Sequence, residues 1–98
     1  MVDAENERRD RTFKATESVL MRQFARLDLV SLDVKGGFDH DGDPILHVTV
    51  IYDAENTELE ASSLSGLVRH LRRALAEHGE DRFPVVSFID AEESAEAA

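Results

Sequence analysis

Apolar and polar residues alternate in three stretches of the chain, which predicts three strands. Residues 29–35, "LVSLDVK", and 44–52, "PILHVTVIY", combine a period of two with β-branched residues, as strands do. A third strand is predicted for residues 82–90, "RFPVVSFID". Pro84 stands near its start, where a missing backbone N–H is tolerated.

Two helices are predicted from positions that recur every three or four residues. The first spans about residues 8–27, and its stripe is Phe13, Thr16, Leu20, Phe24 and Leu27. The second spans about residues 58–78, and its stripe is Leu64, Leu67, Val68, Leu71 and Leu75. Thr57 and Glu60 fit a capping box at the start of the second helix, and Gly79 fits a stop at its end.

The order of these elements, α-β-β-α-β, predicts an α+β fold. A strand–helix–strand connection within one sheet places its two strands parallel. The simplest arrangement is then a three-stranded mixed sheet in the order 2-1-3, with both helices on one face. We expect a single domain over residues 8–90, a flexible N-terminus at 1–7, and a disordered acidic tail at 91–98, "AEESAEAA", which lacks an apolar pattern.

Between the first two strands lies "KGGFDHDGD", residues 35–43, the one stretch that invites a chemical interpretation. Asp39, Asp41 and Asp43 match the first, third and fifth positions of a calcium-binding loop. Pro44 then stands where that loop needs glycine, so we expect no metal site here. The stretch also lacks the paired lysine and hydroxyl of a phosphate-binding loop.

A hairpin turn explains the same stretch better. Asp41-Gly42 is a favoured two-residue turn, because both of its positions need positive φ. Counting back from that turn puts the apolar faces of the two strands out of register by one residue. A β-bulge corrects such an offset, and Gly36-Gly37 is predicted to be that bulge.

Composition narrows the classes of function. The chain of 98 residues has a net charge of −10, which argues against unaided binding to duplex nucleic acid. It has no cysteine, which excludes disulfides and thiolate chemistry. No apolar run approaches the length of a membrane span, so we expect a cytoplasmic protein with no membrane contact. The four histidines are scattered and no serine has a catalytic frame, so we expect no catalytic residue, no cofactor and no enzyme activity.

Arginines cluster in "RHLRR" on the second helix, as Arg69, Arg72 and Arg73. They are either a docking patch for RNA phosphates or an acidic protein, or partners of the chain's own acids. The element order, with "SGLVRHLRRALAE" followed by "RFPVVSFID", resembles the type II KH-like fold of the ribosome-binding factor A family. In that resemblance Gly66 corresponds to a helix break, and Pro84, Phe88 and Asp90 to the last strand. The resemblance implies an RNA-binding or ribosome-associated role.

The face of the sheet opposite the helices is the second candidate site. It should carry Ile45, His47, Ile51, Val85 and Ile89. A contiguous apolar patch that water should wet is typical of an interaction surface. We therefore expect a small acidic protein that acts by protein–protein contact, as a homodimer or as an accessory subunit. RNA binding is the alternative, and a small enzyme comes third.

Overall fold

Five elements follow one another in the predicted order. The computed structural model describes residues 4–93, with side chains from Glu7 onward. Its elements are α1 (Ala4–Gln23), β1 (Leu29–Phe38), β2 (Pro44–Tyr52), α2 (Ala61–Glu77) and β3 (Phe83–Asp90). The predicted α+β class is confirmed. Helix α1 begins and ends earlier than predicted, so it includes residues 4–7, which were expected to be flexible. Residues 91–93 form a helical turn, and 94–98 of the predicted disordered tail lie outside the described residues.

The strand order is β1-β2-β3, so the predicted order 2-1-3 is wrong. Strand β2 is the centre of the sheet, antiparallel to β1 and, as predicted, parallel to β3. The physical reason is visible in β2, which has large aliphatic side chains on both of its sides and therefore gains most from neighbours on both edges. Strand β1 is polar on one side, which suits an edge.

Strands β1 and β2 are joined by a tight hairpin loop, as predicted, but this loop is not the predicted two-residue turn. Asp39 N–H donates to the carbonyl of Asp43 at 3.0 Å, and Gly42 N–H donates to the carbonyl of Asp39 at 3.0 Å. Gly42 has φ +85 and closes a three-residue loop. The additional loop residue sets Val34 opposite Val48, so the apolar faces match without any correction.

The predicted bulge at Gly36-Gly37 is therefore absent, and the irregularity in β1 lies between Leu29 and Ser31. The two glycines leave room for side chains on opposite faces of the sheet. A Cβ on Gly36 would overlap Nη1 of Arg82, and a Cβ on Gly37 would lie 2.9 Å from Cδ2 of His47.

Both helices pack on one face of the sheet, as predicted. Leu20 of α1, Phe24 directly after α1, and Leu67 and Leu71 of α2 are buried in one core with Val48 and Val50 of β2. A smaller cluster joins Ala15 and Leu75 to Leu46. Thr12 and Thr16 are also buried on α1, where their hydroxyls donate to the carbonyls four residues earlier. Phe13, expected in the core, is only half-buried.

Helix α2 is continuous through Gly66, so the helix break implied by the resemblance is absent. Glu60 precedes the helix and makes no side-chain cap, so the predicted capping box does not form. Thr57 instead accepts a hydrogen bond from Asp28 N–H at 2.8 Å. The predicted stop is confirmed: Gly79 has φ +79, and Glu80 N–H donates to the carbonyl of Leu75.

Candidate functional site: the open face and the free edge of the sheet

The face of the sheet away from the helices carries side chains from all three strands. Alternation places every second residue of β2 there, and the register adds one neighbour from each edge strand. From the hairpin end, the four rows across β1, β2 and β3 are Gly37-Ile45-Phe83, Lys35-His47-Val85, Asp33-Thr49-Ser87 and Ser31-Ile51-Ile89.

Four of the five predicted contact residues have exposed surface on this face, and one does not. Val85 is 40% exposed, His47 is exposed, and Ile51 and Ile89 are half-buried. Ile45 is only 6% exposed, so the exposure that was expected for it is not found. It lies in register between Gly37 and Phe83, in the row nearest the hairpin.

Phe83 is a surface residue that the sequence analysis missed. It is 46% exposed and begins the β3 side of the face. The signal was present, because Phe83 has the same strand parity as Val85 and Ile89. Phe83 and Val85 are thus two neighbouring apolar residues at the hairpin end of β3, and Ser87 separates them from Ile89 and Ile51.

Charge on this face is close to balanced. Lys35 Nζ lies 3.9 Å from Oδ2 of Asp33, and both side chains are exposed. His47 is the remaining titratable side chain of the four rows. This balance contrasts with the net charge of −10 for the whole chain.

The arginines of α2 point toward different parts of the molecule. Arg72 Cζ lies 5.2 Å from the centroid of the Phe83 ring, a cation–π contact at the β3 edge. Arg73 lines a small groove between the helices with Arg22 and Glu77. Among the side chains that the structure describes, Arg69, Arg72 and Arg73 form no salt bridge, so their expected pairing with the chain's own acids is not found.

A second concave region, the α1–β1 groove, lies between the N-terminal half of α1 and strand β1. Its volume is ≈ 810 Å³. Four cationic and two anionic side chains are among its lining residues, which are Arg8, Arg9, Asp10, Thr12, Phe13, Leu32, Asp33, Val34, Lys35, Gly36, Leu46 and Arg82. The sequence analysis did not identify it, because its walls come from positions about 25 and 50 residues apart.

A buried carboxylate fixes the end of this groove. Arg82 Nε and Nη2 donate to Glu80 at 2.9 Å and 2.7 Å, and Arg8 Nη2 lies 3.6 Å from Glu80 Oε2. The Glu80 side chain is 1% exposed. The Arg82 side-chain hydrogen bonds lower the pKa of Glu80 below its ordinary value and outweigh burial, which raises it. The same bonds raise the pKa of Arg82.

Asp39, the first aspartate of the hairpin loop, accepts hydrogen bonds from the backbone of the loop itself. Asp39 Oδ1 accepts from the N–H groups of Asp41 and Asp43, each at 2.9 Å. Within residues 7–93, no group of three or more histidine or acidic side chains converges on a point that could hold a metal ion.

No helix in the described part of the chain is long and apolar enough to cross a membrane. The chain matches no known family model, no curated protein and no solved structure.

Proposed function

We propose that this chain acts by protein–protein contact, as a non-enzymatic homodimer whose subunits meet through the open face of the sheet. The observation that carries the proposal is the pair of exposed apolar residues Phe83 and Val85 on β3, with half-buried Ile51 and Ile89 beyond the polar row of Thr49 and Ser87. Arg72 of α2 reaches the ring of Phe83 at the β3 edge, and the rest of this face lies away from both helices. Removing such surface from water is favourable by roughly 25 cal/mol for each Å².

The distribution of charge favours a second copy as the occupant. Two chains of −10 repel each other, and this repulsion is weakest where a surface carries one acid and one base. The open face is such a surface, because Asp33 and Lys35 lie next to each other on it. A two-fold axis through the face would also let Lys35 of each subunit approach Asp33 of the other. The absence of cysteine suits the cytoplasmic location that we propose with this function.

Sedimentation velocity at several protein concentrations and two salt concentrations tests the proposal. We expect a dimer at tens of micromolar, tighter in higher salt because salt screens the net repulsion. Val85→Glu should shift the chain to monomer without unfolding it. Met21→Glu is the matched control, since Met21 is 46% exposed on α1 and the charge change is the same.

A wild-type chain that stays monomeric at every concentration contradicts the homodimer. If both variants lose the dimer equally, the loss reflects the added negative charge or a contact elsewhere, and not the open face. The accessory-subunit form of the proposal then requires a partner that Val85→Glu loses and Met21→Glu keeps in a pull-down from the native cell.

RNA binding through α2 is the second candidate. The observation that favours it is that Arg69 and Arg73 are exposed and form no salt bridge with any described acid. A filter-binding titration with single-stranded RNA tests it. Phosphate contacts should weaken steeply with salt and should be lost in the double variant R69Q/R73Q. Lys14→Gln, which removes an exposed cation from α1, should change little.

A further inference from the structure

The outer edge of β1 presents unpaired backbone groups to the α1–β1 groove. Asp39 and Asp43 form a hydrogen-bonded pair of the hairpin, and such pairs recur at every second residue of an antiparallel ladder. Asp33 and Lys35 therefore bond to β2, whereas Leu32, Val34 and Gly36 turn their N–H and C=O groups away from it. Because β1 is an edge strand, no other strand within residues 4–93 satisfies these outward groups.

The edge is open along a regular stretch. Residues 32–36 all line the groove, which means that it follows the backbone of β1 rather than one of its side-chain faces. The irregularity between Leu29 and Ser31 lies before this stretch, and the hairpin loop begins after it. Sheet edges are usually protected by a bulge, a proline, a cover or charged side chains. No bulge and no proline interrupts residues 32–36, and the charged side chains of Asp33 and Lys35 belong to the rows of the open face.

Helix α1 supplies the opposite wall. Phe13 is half-buried there, and Leu32 and Val34 of β1 are half-buried across from it, so the groove has an apolar interior. Arg8 and Arg9 extend the wall toward the helix N-terminus. An extended segment in this position would meet a helix on one side and a strand edge on another.

The side chains that line the groove carry more positive than negative charge, which favours an anionic ligand. Arg8, Arg9, Lys35 and Arg82 line it, and Asp10 and Asp33 are its acidic lining residues. The buried Glu80 behind the lining offsets a further positive charge at Arg82 and Arg8, which leaves the cations in excess by one. Oδ2 of Asp10 is 3.2 Å from Nζ of Lys14, and this ion pair offsets part of the negative charge of Asp10. Arg82 cannot turn away, because Glu80 holds its guanidinium through two hydrogen bonds. In a chain of −10, this is a local cationic surface.

We propose that the α1–β1 groove binds an extended acidic peptide, which adds to the edge of β1 as a fourth strand. The outward N–H and C=O groups of Leu32, Val34 and Gly36 bond to the peptide backbone, and this is the β-augmentation mode of recognition. Side chains alternate between the two faces of the added strand. Those on the helix side, apolar or acidic, meet Phe13 and the arginines, and acidic ones on the other side meet Lys35. The groove shares Asp33 and Lys35 with the rim of the open face, but the peptide binds the backbone edge of β1, and this binding does not need a second copy of the chain.

Hydrogen exchange read by NMR tests the backbone contact. The probe is a blocked seven-residue peptide of alternating glutamate and valine, and its lysine–valine counterpart is the control. We expect the outward amides of Leu32, Val34 and Gly36 to exchange about tenfold or more slowly with the glutamate peptide. The inward amides of Asp33 and Lys35, already bonded to β2, provide an internal reference that should change little.

Two matched variants test the charge selection. Arg9→Glu should weaken binding of the glutamate peptide by about fivefold or more, the effect of about 1 kcal/mol. Arg11→Glu makes the same charge change on an exposed residue of α1 that does not line the groove, so it should weaken binding much less. Val34→Pro should abolish the added strand, since it removes one outward N–H and leaves the bonds to β2 in place.

Three outcomes would overturn the proposal. One is equal binding of the glutamate and lysine peptides. Another is resonance shifts at the groove without slower exchange at the outward amides, which would indicate side-chain binding of an anion only. The third is slower exchange of the same amides on raising the protein concentration without peptide, which would assign the edge to pairing between two copies of β1.

Discussion

The two faces of strand β2 show how differently one stretch of sequence is used. Leu46, Val48 and Val50 point to the helices and are almost completely buried. Their neighbours in sequence point the other way, where Ile45 is buried, Thr49 and Ile51 are half-buried and His47 is exposed. On the helix-covered face every position is fixed by packing. On the open face packing fixes only the row nearest the hairpin.

The same contrast appears in the glycines of β1. Gly36 faces the helix-covered side and lies against Arg82, whose guanidinium is held by the buried Glu80. Gly37 faces the open side and lies against His47, whose ring is exposed. A side chain at position 36 would therefore collide with a guanidinium that is held in place, whereas one at position 37 would meet an exposed ring that has room to rotate.

The largest difference should come from truncating aliphatic side chains on the two faces of β2. Leu46→Ala should lower the free energy of unfolding by about 2–5 kcal/mol, because it leaves a cavity beneath α1. Ile51→Ala should cost less than half as much, since Ile51 is half-buried and water can fill its place. Urea denaturation of the monomer measures both. Equal costs would mean that something covers the open face even in the monomer.

The sequence predicted the parts of this fold that depend on local pattern. The class, the direction of β3 and the single layer of helices follow from alternation, helical spacing and the strand–helix–strand connection. The order of the strands was wrong because β1 was placed at the centre, although β2 alone is strongly aliphatic on both sides. The turn was wrong by one residue, and one residue is enough to invert the parity of a hairpin.

The candidate sites divide in the same way. Val85, Ile51 and Ile89 were assigned to the open face from parity, which the pairing fixes. The burial of Ile45 could not be predicted from the sequence, because strand parity assigns a side chain to a face but does not say how closely its neighbours pack. The α1–β1 groove was not visible either, since it exists only where α1, β1 and Arg82 meet in three dimensions.

The second prediction concerns Glu80, which closes the helix-covered face at its hairpin end. Glu80→Gln should cost about 1–3 kcal/mol, because the bonds from Arg82 lose their charge assistance. The pKa of Glu80 is lowered in the folded chain, so its stabilising effect is complete above the ordinary glutamate pKa of 4.5. It is lost as pH falls through the lower folded pKa. The urea midpoints of wild type and variant should therefore differ at pH 7 and approach each other as pH falls below 4.5.

A matched acid on the other face sharpens this test. Asp33→Asn removes an exposed carboxylate of the open face, and its effect at pH 7 should be within about 0.5 kcal/mol. If the gap between wild type and Glu80→Gln persists undiminished at low pH, charge is not what the buried carboxylate contributes there.

The smallest effect should separate the two glycines. Alanine at position 36 must displace the guanidinium of Arg82, and that group can move only by giving up its bonds to Glu80. Gly36→Ala should therefore cost about 1 kcal/mol or more. Alanine at position 37 needs only a rotation of the exposed His47 ring, and the loss of glycine's freedom in the unfolded chain favours it by about 0.4–1 kcal/mol.

Gly37→Ala should then be neutral or slightly stabilising in the same urea titration. The double variant R82M/G36A discriminates between causes, because methionine removes the guanidinium with which alanine collides. If the guanidinium is the reason for Gly36, adding G36A to Arg82→Met should cost less than adding it to wild type. An unchanged cost would mean that the backbone of β1 itself rejects a side chain at this position, whichever residue lies above it.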